Sequence, residues 1–264
     1  MMANRHGDFI WYELMTGDAD KAQEFYSAVV GWTVKASDQP DMDYRLFSMA
    51  GTEVGGLMPL TSEMTAGGAR PCWLGYIGVD DVDASVADIK ASGGAVHMEP
   101  WDIPGVGRMA FVADPQGAPF YVMKGSVEGG DSSSFAATEP KPGHCAWNEL
   151  ATEDPEGAKT FYGNQFGWQQ DGDMDMGPMG KYEFWKVGDD RGFMLGAVMP
   201  KMAEQPVSMW TYYFRVPDID KAVETIKAKS GQLVQEPIEI PGGDYSLVAM
   251  DPQGAIFGLV GART

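Results

Sequence analysis

The chain has 264 residues, of which 44% are hydrophobic and 22% charged, a composition typical of a folded globular protein. Acidic residues outnumber basic ones by 38 to 19, and the resulting formal charge of −19 argues against nucleic acid or an anionic membrane as a partner. Two cysteines are too few for a disulfide framework, and the sequence has neither an apolar leader nor a membrane-length apolar run, so we expect a cytoplasmic location.

The predicted elements follow one another in a fixed order. The first half opens with strand-like alternation around Trp11, and a helix capped by Asp18 follows. A second helix precedes Gly93, and Asp114-Pro-Gln-Gly predicts a type I turn between two strands. In the first of these helices the apolar residues recur at a helical period: Ala22, Phe25, Tyr26, Val29 and Val30.

The second half repeats this order. Its first helix would be capped by Asp154 with Pro155 at the first position, and its second helix would end at Gly231. Motifs recur 136 or 137 residues apart: Trp11 and Trp147, Glu13 and Glu149, Tyr26 and Tyr162, Trp73 and Trp210, Asp114 and Asp251. Each half therefore reads β-α-β-β-β twice, which predicts an α+β fold of four βαβββ modules paired into two tandem domains.

The domain boundaries follow from the same repeat. We expect a first domain at residues 1–125 and a second at residues 143–264. Residues 126–142, rich in Gly, Ser and Pro and without a hydrophobic period, are expected to link them.

These motifs in this order resemble the vicinal oxygen chelate superfamily, which includes glyoxalases, bleomycin-binding proteins and extradiol dioxygenases. The resemblance covers about residues 8–125 and 143–261 and is nearest to a two-domain glyoxalase-like branch. It implies that both domains are glyoxalase-like and that paired modules form a cleft in each of them.

The resemblance also locates the positions at which metal-dependent relatives hold a divalent ion. In this sequence those positions carry residues that are poor metal ligands: Trp11, Leu74, Tyr121, Trp147, Thr211 and Gly258. The histidines, His6, His97 and His144, do not recur between the halves. We therefore expect no metal cofactor, with a divalent metal held by unusual ligands as the alternative.

The same carry-over gives the residues expected to face the clefts. Glu13 and Glu149 are the candidate catalytic carboxylates, because burial beside apolar side chains would favour the protonated form and suit proton transfer. The candidate substrate-binding residues are Trp11, Met15, Tyr76, Tyr121, Trp147 and Tyr213. A structural alternative is that Trp11 and Trp147 only fill the space of a lost metal site. Because Gly258 replaces Tyr121, the second cleft is expected to be roomier.

We therefore expect a protein that binds a small organic molecule in aromatic clefts, with carboxylate-assisted proton transfer as an open possibility. One alternative is a metal-dependent glyoxalase-like lyase or dioxygenase. Another is a non-catalytic structural or interaction protein. The expected partner is a small molecule, neither nucleic acid nor membrane, and the chain would be a monomer or a homodimer.

Overall fold

The computed structural model describes residues 4–39, 42–126 and 131–264. Within them, each half of the sequence contributes one eight-stranded sheet of mixed direction, with helices between the strands. This confirms the α+β class and the four βαβββ modules.

The first half contains β1 (Phe9–Thr16), α1 (Ala19–Val29), β2 (Thr33–Ala36), β3 (Arg45–Met49), β4 (Thr52–Pro59), α2 (Ser62–Ala66), β5 (Cys72–Gly78), α3 (Val82–Ala91), β6 (Ala95–Ile103), β7 (Gly107–Ala113) and β8 (Pro119–Gly125). The strand order is β2-β3-β4-β1-β5-β8-β7-β6.

The second half contains β9 (Cys145–Thr152), α4 (Pro155–Phe166), β10 (Trp168–Asp175), a 3₁₀ turn (Gly177–Met179), β11 (Lys181–Val187), β12 (Met194–Pro200), β13 (Met209–Val216), α5 (Ile219–Ala228), β14 (Gln232–Glu239), β15 (Tyr245–Met250) and β16 (Ile256–Gly261). The order β10-β11-β12-β9-β13-β16-β15-β14 repeats that of the first half. None of the helices in the described ranges is long and apolar enough to cross a membrane.

Helix ends agree with the sequence at three points and differ at one. Asp18 and Asp154 accept backbone N–H groups as caps, and Pro155 begins α4. The expected end of α5 at Gly231 is wrong, because Ser230 takes the left-handed conformation with φ of 65°. Gly231 is needed for space instead, since a Cβ there would lie 2.9 Å from the ring of Phe25.

Packing divides the described chain into two compact units that cut across the two halves of the sequence. Unit 1 draws its described residues from Met1–Ile10, Gly75–Ser132 and Trp147–Trp210. Unit 2 draws them from Trp11–Leu74, Ser133–Ala146 and Thr211–Thr264. The tandem boundaries expected from the sequence stay a prediction, and residues 127–130 of the expected linker lie outside the described part of the chain.

The core of unit 2 contains a hydrogen-bonded chain of polar groups. The Trp73 indole N–H donates to the Tyr26 hydroxyl (2.9 Å), which donates to Asp251 Oδ2 (3.1 Å). Asp251 Oδ1 accepts the backbone N–H groups of Gln253 and Ala255 at 2.8 and 3.0 Å. Burial raises the pKa of both Tyr26 and Asp251. The helix of the first half is thereby bonded to the Asp-Pro-Gln-Gly turn of the second.

Unit 1 repeats this network with the halves exchanged. The Trp210 indole N–H donates to the Tyr162 hydroxyl, and Tyr162 donates to Asp114 Oδ2, both at 3.1 Å. Asp114 in turn accepts the backbone N–H groups of Gln116 and Ala118. The duplicated Tyr, Trp and Asp residues therefore meet crosswise, Tyr162 of the second half with Asp114 of the first.

Unit 1 also contains a buried ion pair. The Arg191 guanidinium donates from both Nη atoms to the two oxygens of Asp8, at 2.7 and 2.8 Å. Both side chains are about 95% buried, with exposed fractions of 4% and 5%. Arg191 also contacts Asp189, and hydrogen bonding to it lowers the pKa of that carboxyl. The pair fixes the segment before β1 to the loop between β11 and β12.

Residues 132–137 of the expected linker are at least partly buried, whereas residues 138–142 are exposed. Phe135 forms an isolated bridge with Cys145, and the Trp32 indole N–H donates to the Gly143 carbonyl at 2.7 Å. His144 is buried, and its Nδ1 lies 2.7 Å from the Ser133 carbonyl oxygen. Burial lowers the pKa of His144.

Replacing His144 with glutamine should reduce the pH dependence of stability between pH 7 and pH 5. The pKa of His144 is lower in the folded than in the unfolded chain, so the folded state is favoured when His144 is neutral. This stabilisation is complete above about pH 6.5, the ordinary histidine pKa, and is lost as the pH falls below it. Glutamine can still donate to the Ser133 carbonyl but does not titrate. Urea unfolding at several pH values measures the effect. If the free energy of unfolding changed with pH equally in both proteins, burial would not lower the pKa of His144 as described.

Candidate functional site

The second half carries the two candidate residues Trp147 and Glu149 on one face of β9. Parallel pairing sets Glu149 opposite Ala197 of β12, and antiparallel pairing sets Ala197 opposite Phe184 of β11. Since paired residues of neighbouring strands share a face, Glu149, Ala197 and Phe184 form one row across three strands. Tyr182, two residues before Phe184, projects from the same face.

A hydrogen-bonded chain connects the polar groups on this face. The Trp147 indole N–H donates to the Tyr182 hydroxyl at 2.7 Å, and the Tyr182 hydroxyl donates to Glu149 Oε2, also at 2.7 Å. The Phe184 ring contacts both Trp147 and Tyr182, with centroid distances of 6.1 and 5.7 Å. We call Trp147, Glu149, Tyr182 and Phe184 the Glu149 cluster. All four side chains are partly exposed, so a ligand can reach them.

In the first half, the equivalent carboxylate is more deeply buried than Glu149. Glu13 is only 3% exposed, whereas Glu149 is partly exposed. The Trp11 indole N–H donates to the Tyr44 hydroxyl at 2.9 Å, as Trp147 does to Tyr182. A Cβ at Gly56, which pairs with Glu13, would collide with that hydroxyl. In the second half Ala197 stands at the position equivalent to Gly56. There the Tyr182 hydroxyl lies beside the Glu149 carboxylate.

The remaining candidate aromatic residues pack against one another or against backbone. In unit 1 the rings of Tyr76 and Tyr121 stack at 4.3 Å, and Phe111 stacks on Tyr121 at 4.8 Å. In unit 2 Tyr213 lies against Gly258, where a Cβ would collide with its ring. The extra room expected from Gly258 is therefore filled by Tyr213.

The candidate Met15 and two methionines of the second half, Met174 and Met179, have different surroundings. Met15 is buried, with 6% of its surface exposed. Met174 lies in β10, paired with Tyr182 of β11, so its exposed side chain borders the Glu149 cluster. Met179 lies in the 3₁₀ turn.

The positions that metal-dependent relatives use are poor in donors here. Leu74 is buried and Thr211 is 7% exposed. Across the described ranges, no group of three or more His, Cys, Asp or Glu residues could hold a metal ion. The donor set therefore does not fit the metal that the fold implies, although metal independence itself stays a prediction.

The histidines and the cysteine nearest the candidate carboxylates have structural surroundings. His6 Nε2 lies 2.7 Å from the Gln165 carbonyl oxygen, and its Nδ1 accepts the Asp80 backbone N–H at 3.3 Å. His97 packs against Phe111. Burial, reinforced by the charge of Glu13, raises the pKa of the Cys72 thiol to about 12.

Sequence reasoning found Trp147 and Glu149 but missed Tyr182 and Phe184. The sequence did contain a signal for Tyr182: Tyr44 and Tyr182 occupy equivalent places in the two halves, 138 residues apart instead of 136 or 137. The position of Phe184 is occupied by Leu46 in the first half, so no duplicated motif marked it.

Comparison with known proteins gives matches over nearly the whole chain. The model of the Glyoxalase/Bleomycin resistance protein/Dioxygenase superfamily matches residues 9–122 and 141–259. The protein named "Putative glyoxylase CFP32" from Mycobacterium tuberculosis is 33% identical, over 97% of this chain and 95% of its own length. The anthracycline biosynthesis protein DnrV from Streptomyces peucetius is 30% identical, over 96% of this chain and 92% of its own.

Solved structures show the same fold at low sequence identity. A Mn(II)-bound glyoxalase from Novosphingobium aromaticivorans aligns with a TM-score of 0.65 at 16% identity, over 98% of this chain and 83% of its own. A variant of homoprotocatechuate 2,3-dioxygenase from Brevibacterium fuscum aligns with a TM-score of 0.65 at 14% identity, over 98% and 72%.

Proposed function

The chain belongs to the Glyoxalase/Bleomycin resistance protein/Dioxygenase superfamily, and from this premise we propose that it binds a small organic molecule at the Glu149 cluster without a metal ion. The observation that carries the proposal is the hydrogen-bonded chain from Trp147 through Tyr182 to Glu149. A carboxylate held in one orientation among partly exposed aromatic rings is the lining expected of a site for an organic ligand.

Each member of the cluster has a defined role in this proposal. Glu149 is the polar anchor, and Tyr182 holds its Oε2 by hydrogen bonding. Trp147 orients the Tyr182 hydroxyl, and the rings of Trp147 and Phe184 contact the apolar body of the ligand. A group fixed by such a chain pays less conformational entropy when the ligand binds.

The same arrangement suits proton transfer if the ligand is also a substrate. Glu149 would accept a proton from an acidic C–H or O–H bond of the bound molecule, and Tyr182 would stabilise the carboxylate in the position from which it acts. Glu13 is the corresponding candidate in the first half, with Trp11 and Met15. Tyr76 and Tyr121 remain candidate ligand contacts in unit 1, and Tyr213 remains one in unit 2.

The similar proteins support a ligand with an aromatic or amphipathic body. DnrV is described as an anthracycline biosynthesis protein, and anthracyclines are fused-ring aromatic compounds. Such a ligand would be compatible with Trp147 and Phe184, whose rings are partly exposed.

Replacing Glu149 with glutamine should weaken ligand binding about 10- to 150-fold, because a hydrogen bond to a charged group contributes about 1.5–3 kcal/mol. Replacing Tyr182 with phenylalanine should have a smaller effect in the same direction. Mass spectrometry of molecules that co-purify with the protein identifies the ligand, and calorimetric titration then gives the affinities.

The control is Glu204→Gln, which removes one charge at an exposed position outside the cluster. Equal affinity and equal turnover in the Glu149 variant and this control would contradict the proposed site. If Glu149 is instead a general base, its replacement should abolish turnover with little change in affinity. Metal analysis of the dialysed protein tests the metal-dependent alternative, which requires a stoichiometric ion.

A further inference from the structure

We infer that the Glu149 cluster recognises an organic cation, a quaternary or protonated amine carried on an apolar body. The inference rests on the proposed function, since it specifies the chemistry of the ligand bound at that same cluster. It comes from the combination of three aromatic rings and one carboxylate on a single face of the sheet.

The rings are arranged as walls rather than as a stack. The Phe184 ring plane is inclined by 75° to that of Trp147 and by 76° to that of Tyr182. Rings at nearly right angles present their faces in different directions. An ammonium group within about 6 Å of such faces is attracted by the negative electrostatic potential above each ring, and tryptophan is the strongest of the three.

The carboxylate adds an acidic group at the edge of these walls. Glu149 Oε2 accepts the Tyr182 hydroxyl at 2.7 Å, and an ionised carboxylate can accept further donors. The two lysines of β11 that flank the cluster have acidic partners of their own: Lys186 is paired with Asp171 at 3.4 Å and Lys181 with Asp173 at 3.1 Å. The net charge of −19 further favours the approach of cations.

The first half lacks two parts of this arrangement. Leu46 stands where Phe184 stands, so one aromatic wall is missing, and Glu13 is 3% exposed. Recognition of a cation is therefore a property of the second half, and Phe184→Leu reproduces the first-half residue at that position.

Two probes of equal shape test the inference. Choline carries a quaternary ammonium group, and 3,3-dimethylbutan-1-ol is its neutral carbon analogue. In NMR titrations of the full chain, choline should bind about 5- to 30-fold more tightly than the alcohol, in keeping with about 1–2 kcal/mol for a partly desolvated cation on aromatic faces.

The variants separate the cluster from the overall charge. Glu149→Gln and Phe184→Leu should each lower the affinity for choline about five- to tenfold and change that for the alcohol less than twofold. Glu204→Gln should leave both unchanged. An equal loss of choline affinity in Glu204→Gln would overturn the inference, since the attraction would then be a long-range effect of net charge.

The inference and the proposed function can fail separately. Equal binding of both probes, weakened by Phe184→Leu, would overturn the preference for a cation while supporting an organic ligand at the cluster. Binding of neither probe would overturn the inference. The proposed function fails in addition only if no co-purified organic molecule binds in a way that depends on Glu149.

Discussion

Replacing Asp251 with alanine is expected to lower the free energy of unfolding by about 3–5 kcal/mol. The substitution removes the acceptor of the buried Tyr26 hydroxyl, of the buried Ala255 backbone N–H and of the partly buried Gln253 backbone N–H. Each buried donor left without a partner costs about 1–3 kcal/mol, and the Asp-Pro-Gln-Gly turn loses its internal support. Chemical denaturation followed by circular dichroism measures the loss.

Two further variants divide this effect. Tyr26→Phe removes only the hydroxyl between Trp73 and Asp251, so about 1–3 kcal/mol should be lost. Glu204→Ala removes an exposed carboxylate and should change stability by less than about 0.5 kcal/mol. An Asp251 variant as stable as the Glu204 variant would show that this network does not hold the turn to the helix.

Replacing Arg191 with methionine should destabilise the protein by about 3–5 kcal/mol, because it leaves the buried carboxylate of Asp8 without its counter-ion. Methionine keeps much of the length of the side chain, so the loss reports chiefly on the charge. Thermal and urea unfolding measure it.

Arg263→Met is the matched control for this substitution. Arg263 pairs with Asp220, but both side chains are more than 40% exposed, so the same substitution should cost about 0–1 kcal/mol. The double variant Asp8→Asn/Arg191→Met should recover part of the loss, because no unpaired charge is then buried. Equal effects of the Arg191 and Arg263 substitutions would contradict the importance of burial.

The sequence predicted the local elements well because their causes are local. Asp18 and Asp154 cap helices with their own side chains, and Asp114-Pro-Gln-Gly forms its turn with its own backbone and the Asp114 side chain. The pairing of Tyr26 with Asp251 could not be predicted, because it depends on which modules pack together, and identical motifs permit either choice. Duplication reveals the modules but does not say which ones become partners.

The candidate site was predicted in part for a similar reason. The strand parity of Glu149 and Trp147 follows from alternation, which a single strand determines. The contribution of Tyr182 depends on the register of β11 against β12, where the pairing shifts between Trp185 and Lys186. Such an irregularity changes which side chains share a row, and it cannot be read from either strand alone.

The crosswise composition of the units has a consequence for the order in which the protein can fold during synthesis. The parts of unit 2 from Trp11–Leu74 and Thr211–Thr264 are far apart in the chain. At about 5–20 residues per second, the first part leaves the ribosome roughly 7–27 seconds before the second begins to appear. During that interval Tyr26 has no Asp251 to bond. Unit 1, taken mostly from the middle of the chain, can close first, and unit 2 is the last to leave the state in which apolar surface attracts chaperones or other nascent chains.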